Sequence, residues 1–72
     1  MTLDDAPLGS VAVVVRADVE ASLGRRLAEM GLRVGERVTP LHRTSGGGRV
    51  LAVGDTRLAL ARSVLRRIEV AA

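Results

Sequence analysis

Five short stretches of the chain are rich in β-branched and other apolar residues, and glycine, proline or polar residues separate them. This pattern is typical of short β-strands. The clearest stretch follows Gly9 and Ser10 and holds five apolar residues in a row, four of them valine. We therefore predict strands at about residues 11–15, 36–43, 49–53, 56–61 and 68–70.

Between the first two strands, apolar residues recur at helical spacing. Leu23, Leu27 and Met30 stand at i, i+4 and i+7, so they share one face of a helix. The pattern predicts a helix over residues 19–30 with these three side chains turned inward. Gly24 inside this helix makes it about 1 kcal/mol less stable than Ala would. A glycine kept at that cost suggests that another backbone approaches closely there.

Two glycines convert this helix into the second strand within a few residues. Gly31 stands where a helix ends with a left-handed residue, a conformation that glycine adopts at little cost. Such an ending places Leu32 back against Leu27. Gly35 can supply the positive φ of a type II turn over residues 33–36. Leu27, Gly31 and Gly35 are therefore the structural signature of the segment.

Further residues refine the outline. Asp18 suits the N-cap of the helix. Pro40 lacks a backbone donor, so the second strand should be an edge strand or hold a bulge there. Residues 44–48 form a glycine-rich loop, and Gly54-Asp55 suits a two-residue hairpin turn. A last helical turn is expected at Val64 and Leu65.

These elements together predict one mainly β domain over residues 1–72. A small chain with many short strands must curl them to bury one face. We expect a small five-stranded SH3-like barrel with one α-helix inserted between strands 1 and 2. Leu3 and Leu8, in the entry segment, are candidates to pack on its body.

The amino-acid composition excludes some classes of function but does not identify one. The chain has no Phe, Tyr, Trp or Cys, so its core is aliphatic and thiol chemistry is excluded. All eleven basic residues are arginine, scattered among eight acids, and the net charge is +3. Arg62, Arg66 and Arg67 could contact phosphates, but without aromatic residues or a long helix we predict no nucleic-acid partner.

Candidate chemistry is sparse. His42 is the sole histidine, with no nucleophile or metal co-ligand at a useful spacing, so we predict no catalysis, no metal site and no cofactor. Asp4 and Asp5 should be solvated in a mobile tail. Residues 46–48 lack the Lys-Ser/Thr of a phosphate loop. An acidic N-terminus and short apolar runs predict a cytoplasmic protein without membrane insertion.

The order of motifs resembles the FeoA family of small SH3-like proteins of bacterial ferrous iron uptake. Gly9 precedes the valine-rich strand, and the helix ends in Arg26-Leu27-Ala28-Glu29-Met30-Gly31-Leu32. Val34-Gly35-Glu36, a glycine-rich loop, Leu58-Ala59-Leu60 and a close at residues 65–70 follow. The resemblance covers about residues 3–70.

The resemblance implies an accessory role, by protein contact with the ferrous iron permease and GTPase FeoB. The alternative is a free-standing regulatory module related to the C-terminal SH3-like domain of DtxR-type metal-dependent repressors. For the contact we single out Arg25, Arg26 and Arg33, because they lie on or just beyond the predicted solvent side of the helix. Whether the chain self-associates stays open.

Overall fold

The computed structural model describes all residues from 1 to 72. Every predicted strand is confirmed to within two residues at each end, as is the helical turn at Val64 and Leu65. In chain order the elements are β1 (Ala12–Ala17), α1 (Ala21–Glu29), β2 (Arg37–Arg43), a 3₁₀ turn (Ser45–Gly47), β3 (Arg49–Val53), β4 (Thr56–Leu60), α2 (Arg62–Leu65) and β5 (Ile68–Ala71).

The five strands form one antiparallel sheet in the order β4-β3-β2-β1-β5. The predicted mainly β, five-stranded architecture is confirmed, but the sheet is not closed into the expected barrel. The physical reason is that the free edge of β5 is already occupied by the N-terminal segment. Leu3 donates its N–H to Ile68 O at 3.0 Å, and Val70 donates to Met1 O at 2.8 Å.

The helical part also differs from the prediction. Helix α1 is three residues shorter than expected, and the predicted turn at Val64 and Leu65 belongs to a four-residue helix, α2, that begins at Arg62. Glu20, not Asp18, is the N-cap of α1, and its side chain does not cap the helix. Met30 is 39% exposed instead of inward-facing. It is the C-cap residue, with φ −89° and ψ 3°, so it stands at the very end of α1, one residue before the chain turns at Gly31.

The core is aliphatic, as the composition predicts. It joins residues of all five strands to Leu27, Leu32, Leu65 and the N-terminal Leu3 and Ala6. Leu3 is fully buried, which makes the segment before β1 part of the body and not a mobile tail. Leu8 is 49% exposed, so its predicted packing on the body is wrong.

Pro40 lies in a central strand, between β1 and β3, and not in an edge strand. The alternative expectation, a bulge, is confirmed, because the β2–β3 register shifts between Pro40 and His42. The proline is tolerated because β1 pairs with β2 only as far as the Ala12–Val38 pair. The missing donor of Pro40 therefore falls beyond that ladder.

The turn after α1 confirms the sequence prediction. Gly31 has φ +98°, and across it Leu32 donates its N–H to Leu27 O at 2.9 Å. This is the Schellman ending, which pairs carbonyls that the last helical turn would leave free. Gly35 has φ +90° and closes the turn, in which Glu36 donates to Arg33 O at 3.0 Å. Neither helix is long and apolar enough to cross a bilayer.

Candidate functional site

The three arginines singled out for partner contact all lie on the surface. Arg25 and Arg26 are exposed on α1, and neither makes a side-chain hydrogen bond or an ion pair. Arg33 is exposed in the turn before β2, and its Nη2 lies 4.0 Å from Glu36 Oε1. All three guanidinium groups are accessible to a partner.

The signature residues hold this surface in place. Leu27 is 2% exposed and anchors α1 in the core. Gly35 donates its N–H to Val14 O at 2.8 Å, and Val14 donates to Glu36 O at 3.0 Å. The turn that carries Arg33 is thus tied by two hydrogen bonds to the central part of β1.

A second cluster of arginines, which the sequence did not reveal, gathers around Asp4. Arg43 Nη1 donates to Asp4 Oδ1 at 3.0 Å, and its Nη2 donates to Asp4 O at 2.8 Å. Arg62 Nε lies 3.2 Å from both carboxylate oxygens, and Arg66 Nε lies 3.4 Å from Oδ2. We call Arg43, Arg62 and Arg66 the arginine cluster.

Asp4 is a charged anchor and not a solvated tail residue. Its side chain is only 11% exposed. Burial raises the pKa of the Asp4 carboxyl, but the hydrogen bonds from Arg43 and Arg62 outweigh burial and lower the pKa to about 2. Asp4 therefore carries its negative charge throughout the neutral range.

Arg49 lies beneath the cluster and binds the same segment from inside. It is 6% exposed, and its Nη1 donates to Leu3 O at 2.9 Å and to Ala6 O at 2.6 Å. Its buried Nε has no partner. Burial, followed by the nearby charge of Arg43, lowers the pKa of Arg49. One sequence signal existed: Arg49 alternates with the inward-facing Leu51 and Val53 along β3.

A shallow cleft of about 440 Å³ continues from the cluster toward β1 and β5. Arg66 belongs to both the cleft and the cluster. Arg67 Nη1 lies 3.5 Å from Asp18 Oδ2 across the cleft. The lining contains no hydrophobic residue and consists of Arg16, Asp18, Ser63, Arg66, Arg67 and Glu69.

The structure gathers no group of three or more His, Cys, Asp or Glu side chains that could hold a metal ion. His42, the residue first considered for such chemistry, is exposed at the bulge of β2 and makes no side-chain hydrogen bond. The arrangement of the surface is thus one of arginine forks and backbone turns.

The model of the FeoA domain matches residues 1–72. The chain belongs to the FeoA family. FeoA from Stenotrophomonas maltophilia, solved with zinc, is 39% identical, with 97% of this chain and 88% of that chain covered at a TM-score of 0.79. That protein is an SH3 domain protein for which a role as an activating factor of ferrous iron transport has been suggested.

Other solved structures extend the comparison. Iron(II) transport protein A from Clostridium thermocellum is 26% identical at a TM-score of 0.88, covering 99% of this chain. This chain spans 44% of the length of that protein. The metal-dependent transcriptional regulator MtsR shares the fold at a TM-score of 0.83 and 17% identity, over 99% of this chain and 35% of MtsR. Among curated proteins no match is found.

Proposed function

We propose that this FeoA-family protein is a cytoplasmic accessory protein of bacterial ferrous iron uptake. It acts as one domain, without catalysis, by contact with a FeoB-type permease. The observation that carries the proposal is the FeoA-domain match over the whole of residues 1–72. The similar proteins described as iron(II) transport protein A and as FeoA support the same process.

We place the contact on the surface formed by Arg25, Arg26 and Arg33. Arg25 and Arg26 have no partner within the chain, and Arg33 holds only a long ion pair. Between and beside them, Met30 is 39% and Val34 is 66% exposed. Arginine and methionine are both enriched at protein interfaces, where the planar guanidinium pairs with carboxylates in two places at once.

The test replaces Arg25, Arg26 and Arg33 together by Ser. We expect the fold to survive, because all three side chains are exposed, while co-purification with the permease and iron uptake in cells lacking the wild-type copy both fall. A charge-matched control is also made. The double variant Arg25→Ser with Arg26→Ser is the test, and the double variant Arg37→Ser with Arg57→Ser, which removes the same charge elsewhere, is its control. Arg37 and Arg57 are exposed arginines of β2 and β4 that make no ion pair.

Two results would count against the proposal in different ways. Full complementation by the triple variant would move the contact to another surface. Failure of the wild-type protein to associate with the permease would contradict the proposed accessory function itself.

A second candidate function is a free-standing regulatory module related to the C-terminal domain of DtxR-type repressors. The shared fold with the regulator MtsR favours it. A strain that lacks this chain would then show altered metal-responsive transcription while its permease level and activity stay constant. The accessory role predicts the reverse: lower iron uptake with unchanged transcription.

A further inference from the structure

The arginine cluster carries more positive charge than the protein neutralises. One carboxylate, that of Asp4, faces three guanidinium groups, and the charged Arg49 lies beneath them. Arg62 and Arg66 contact Asp4 through Nε alone. The Nη1 and Nη2 groups of both residues make no hydrogen bond, and the two side chains are 50% and 61% exposed.

The surplus charge continues into the neighbouring cleft. Arg66 joins the cluster to Arg16 and Arg67, which line the cleft together with Asp18 and Glu69. The only ion pair inside it, Arg67 with Asp18, is 3.5 Å long and more than 60% exposed on both sides, so it is easily exchanged. Cluster and cleft meet at Arg66 and together carry five arginines and three acids.

The chemistry of this surface fits separated carboxylates better than a nucleic acid. Guanidinium forks with free Nη pairs bind carboxylates in two places at once. Asp4 shows that the cluster already binds one carboxylate. Nucleic acid would bring a continuous row of phosphates against Asp18 and Glu69, and the chain has no aromatic residue on which a base could stack.

We propose that Arg62 and Arg66, extended by Arg16 and Arg67, bind an acidic segment of a partner protein. Asp4 is the built-in competitor: its carboxylate holds the Nε side of the cluster and weakens the attraction for a second one. The surface is separate from that of Arg25, Arg26 and Arg33, and it does not depend on which protein is the partner.

The experiment titrates the full chain with an octaglutamate peptide at low salt and measures affinity by calorimetry. Arg62→Gln with Arg66→Gln is expected to weaken binding at least about tenfold, because it removes two charge-assisted forks. Arg37→Gln with Arg57→Gln makes the same charge change at exposed arginines of β2 and β4 that hold no ion pair, and should alter affinity less than about twofold. Asp4→Asn is expected to tighten binding, since a competing carboxylate is lost.

The same binding can be followed by NMR on the wild-type protein, in which no substitution disturbs the fold. The Nε–H resonances of Arg62 and Arg66 should shift on addition of the peptide, ahead of those of Arg37 and Arg57. Equal weakening by the two double variants, or tighter binding of octathymidylate than of octaglutamate, would overturn the proposal. Unchanged or weaker affinity in a folded Asp4→Asn protein would overturn the competitor role.

Discussion

Gly48 lies so close to Leu60 that a Cβ atom on Gly48 would stand 2.7 Å from the Leu60 carbonyl oxygen. Gly48 has φ −70° and ψ 177°, a conformation open to any residue. Glycine is therefore required there by space and not by backbone strain. The contact presses the loop after β2 against the end of β4, two residues before Arg62 of the arginine cluster.

Gly48→Ala should destabilise the protein by about 1–3 kcal/mol, the usual cost of forcing an extra group into a packed site. Urea unfolding of the variant measures this. Gly24→Ala is the control. A Cβ at Gly24 would meet only Val19 Cγ2, at 3.5 Å, so no backbone approaches it and our sequence interpretation of Gly24 is wrong. Alanine there should stabilise by about 0.5–1 kcal/mol, and equal effects at both sites would contradict the argument.

Gly31→Val should destabilise by at least about 1–2 kcal/mol, because a β-branched residue resists a positive φ. A second cost adds to this, since a Cβ at Gly31 would lie 3.3 Å from Val53 Cγ1. Gly35→Val separates the two effects: its φ is +90°, but nothing lies within 4 Å of the added atom. Thermal melts should rank Gly31→Val as the more damaging variant.

Asp4→Asn should change how the free energy of unfolding depends on pH in the acidic range. The pKa of Asp4 is lowered from 3.8 to about 2 in the folded protein, so the unfolded chain binds this proton more readily. The contribution of Asp4 is complete above about pH 4 and is lost as the pH falls through about 2. Unfolding curves across that window should fall less steeply for Asp4→Asn than for wild type. Parallel curves would show that the cluster does not hold the charged carboxylate.

Arg49→Met should loosen the N-terminal segment. The variant leaves the carbonyls of Leu3 and Ala6 without their charged donor. Losing a hydrogen bond to a charged group reduces the free energy of unfolding by about 1.5–3 kcal/mol. Part of this loss is offset, because the variant no longer has to bury a desolvated guanidinium. Hydrogen exchange should reveal this as faster exchange of the Leu3 N–H, which is bonded to Ile68 O. Val38 in the centre of the sheet should stay protected; a uniform loss of protection would indicate global destabilisation.

Much of the fold follows from local sequence alone. The positions of the strands, the aliphatic core and the turns at Gly31 and Gly35 depend on backbone conformations and on patterns only a few residues long. A positive φ selects glycine wherever it occurs in the chain. Such features can therefore be predicted from a single sequence. The bounds of α1 and the exposure of the Met30 side chain could not, because they depend on the cap geometry at the two ends of the helix.

The arginine cluster, by contrast, was decided only by the tertiary structure. Asp4 stands 39, 58 and 62 residues away from Arg43, Arg62 and Arg66 in the sequence. In sequence, each of these residues is indistinguishable from a solvated surface charge. They meet because the segment of residues 1–3 pairs with β5, which also leaves the sheet open and buries Leu3. Long-range pairing of this kind has no local signal, since its free energy arises only when the whole chain has folded.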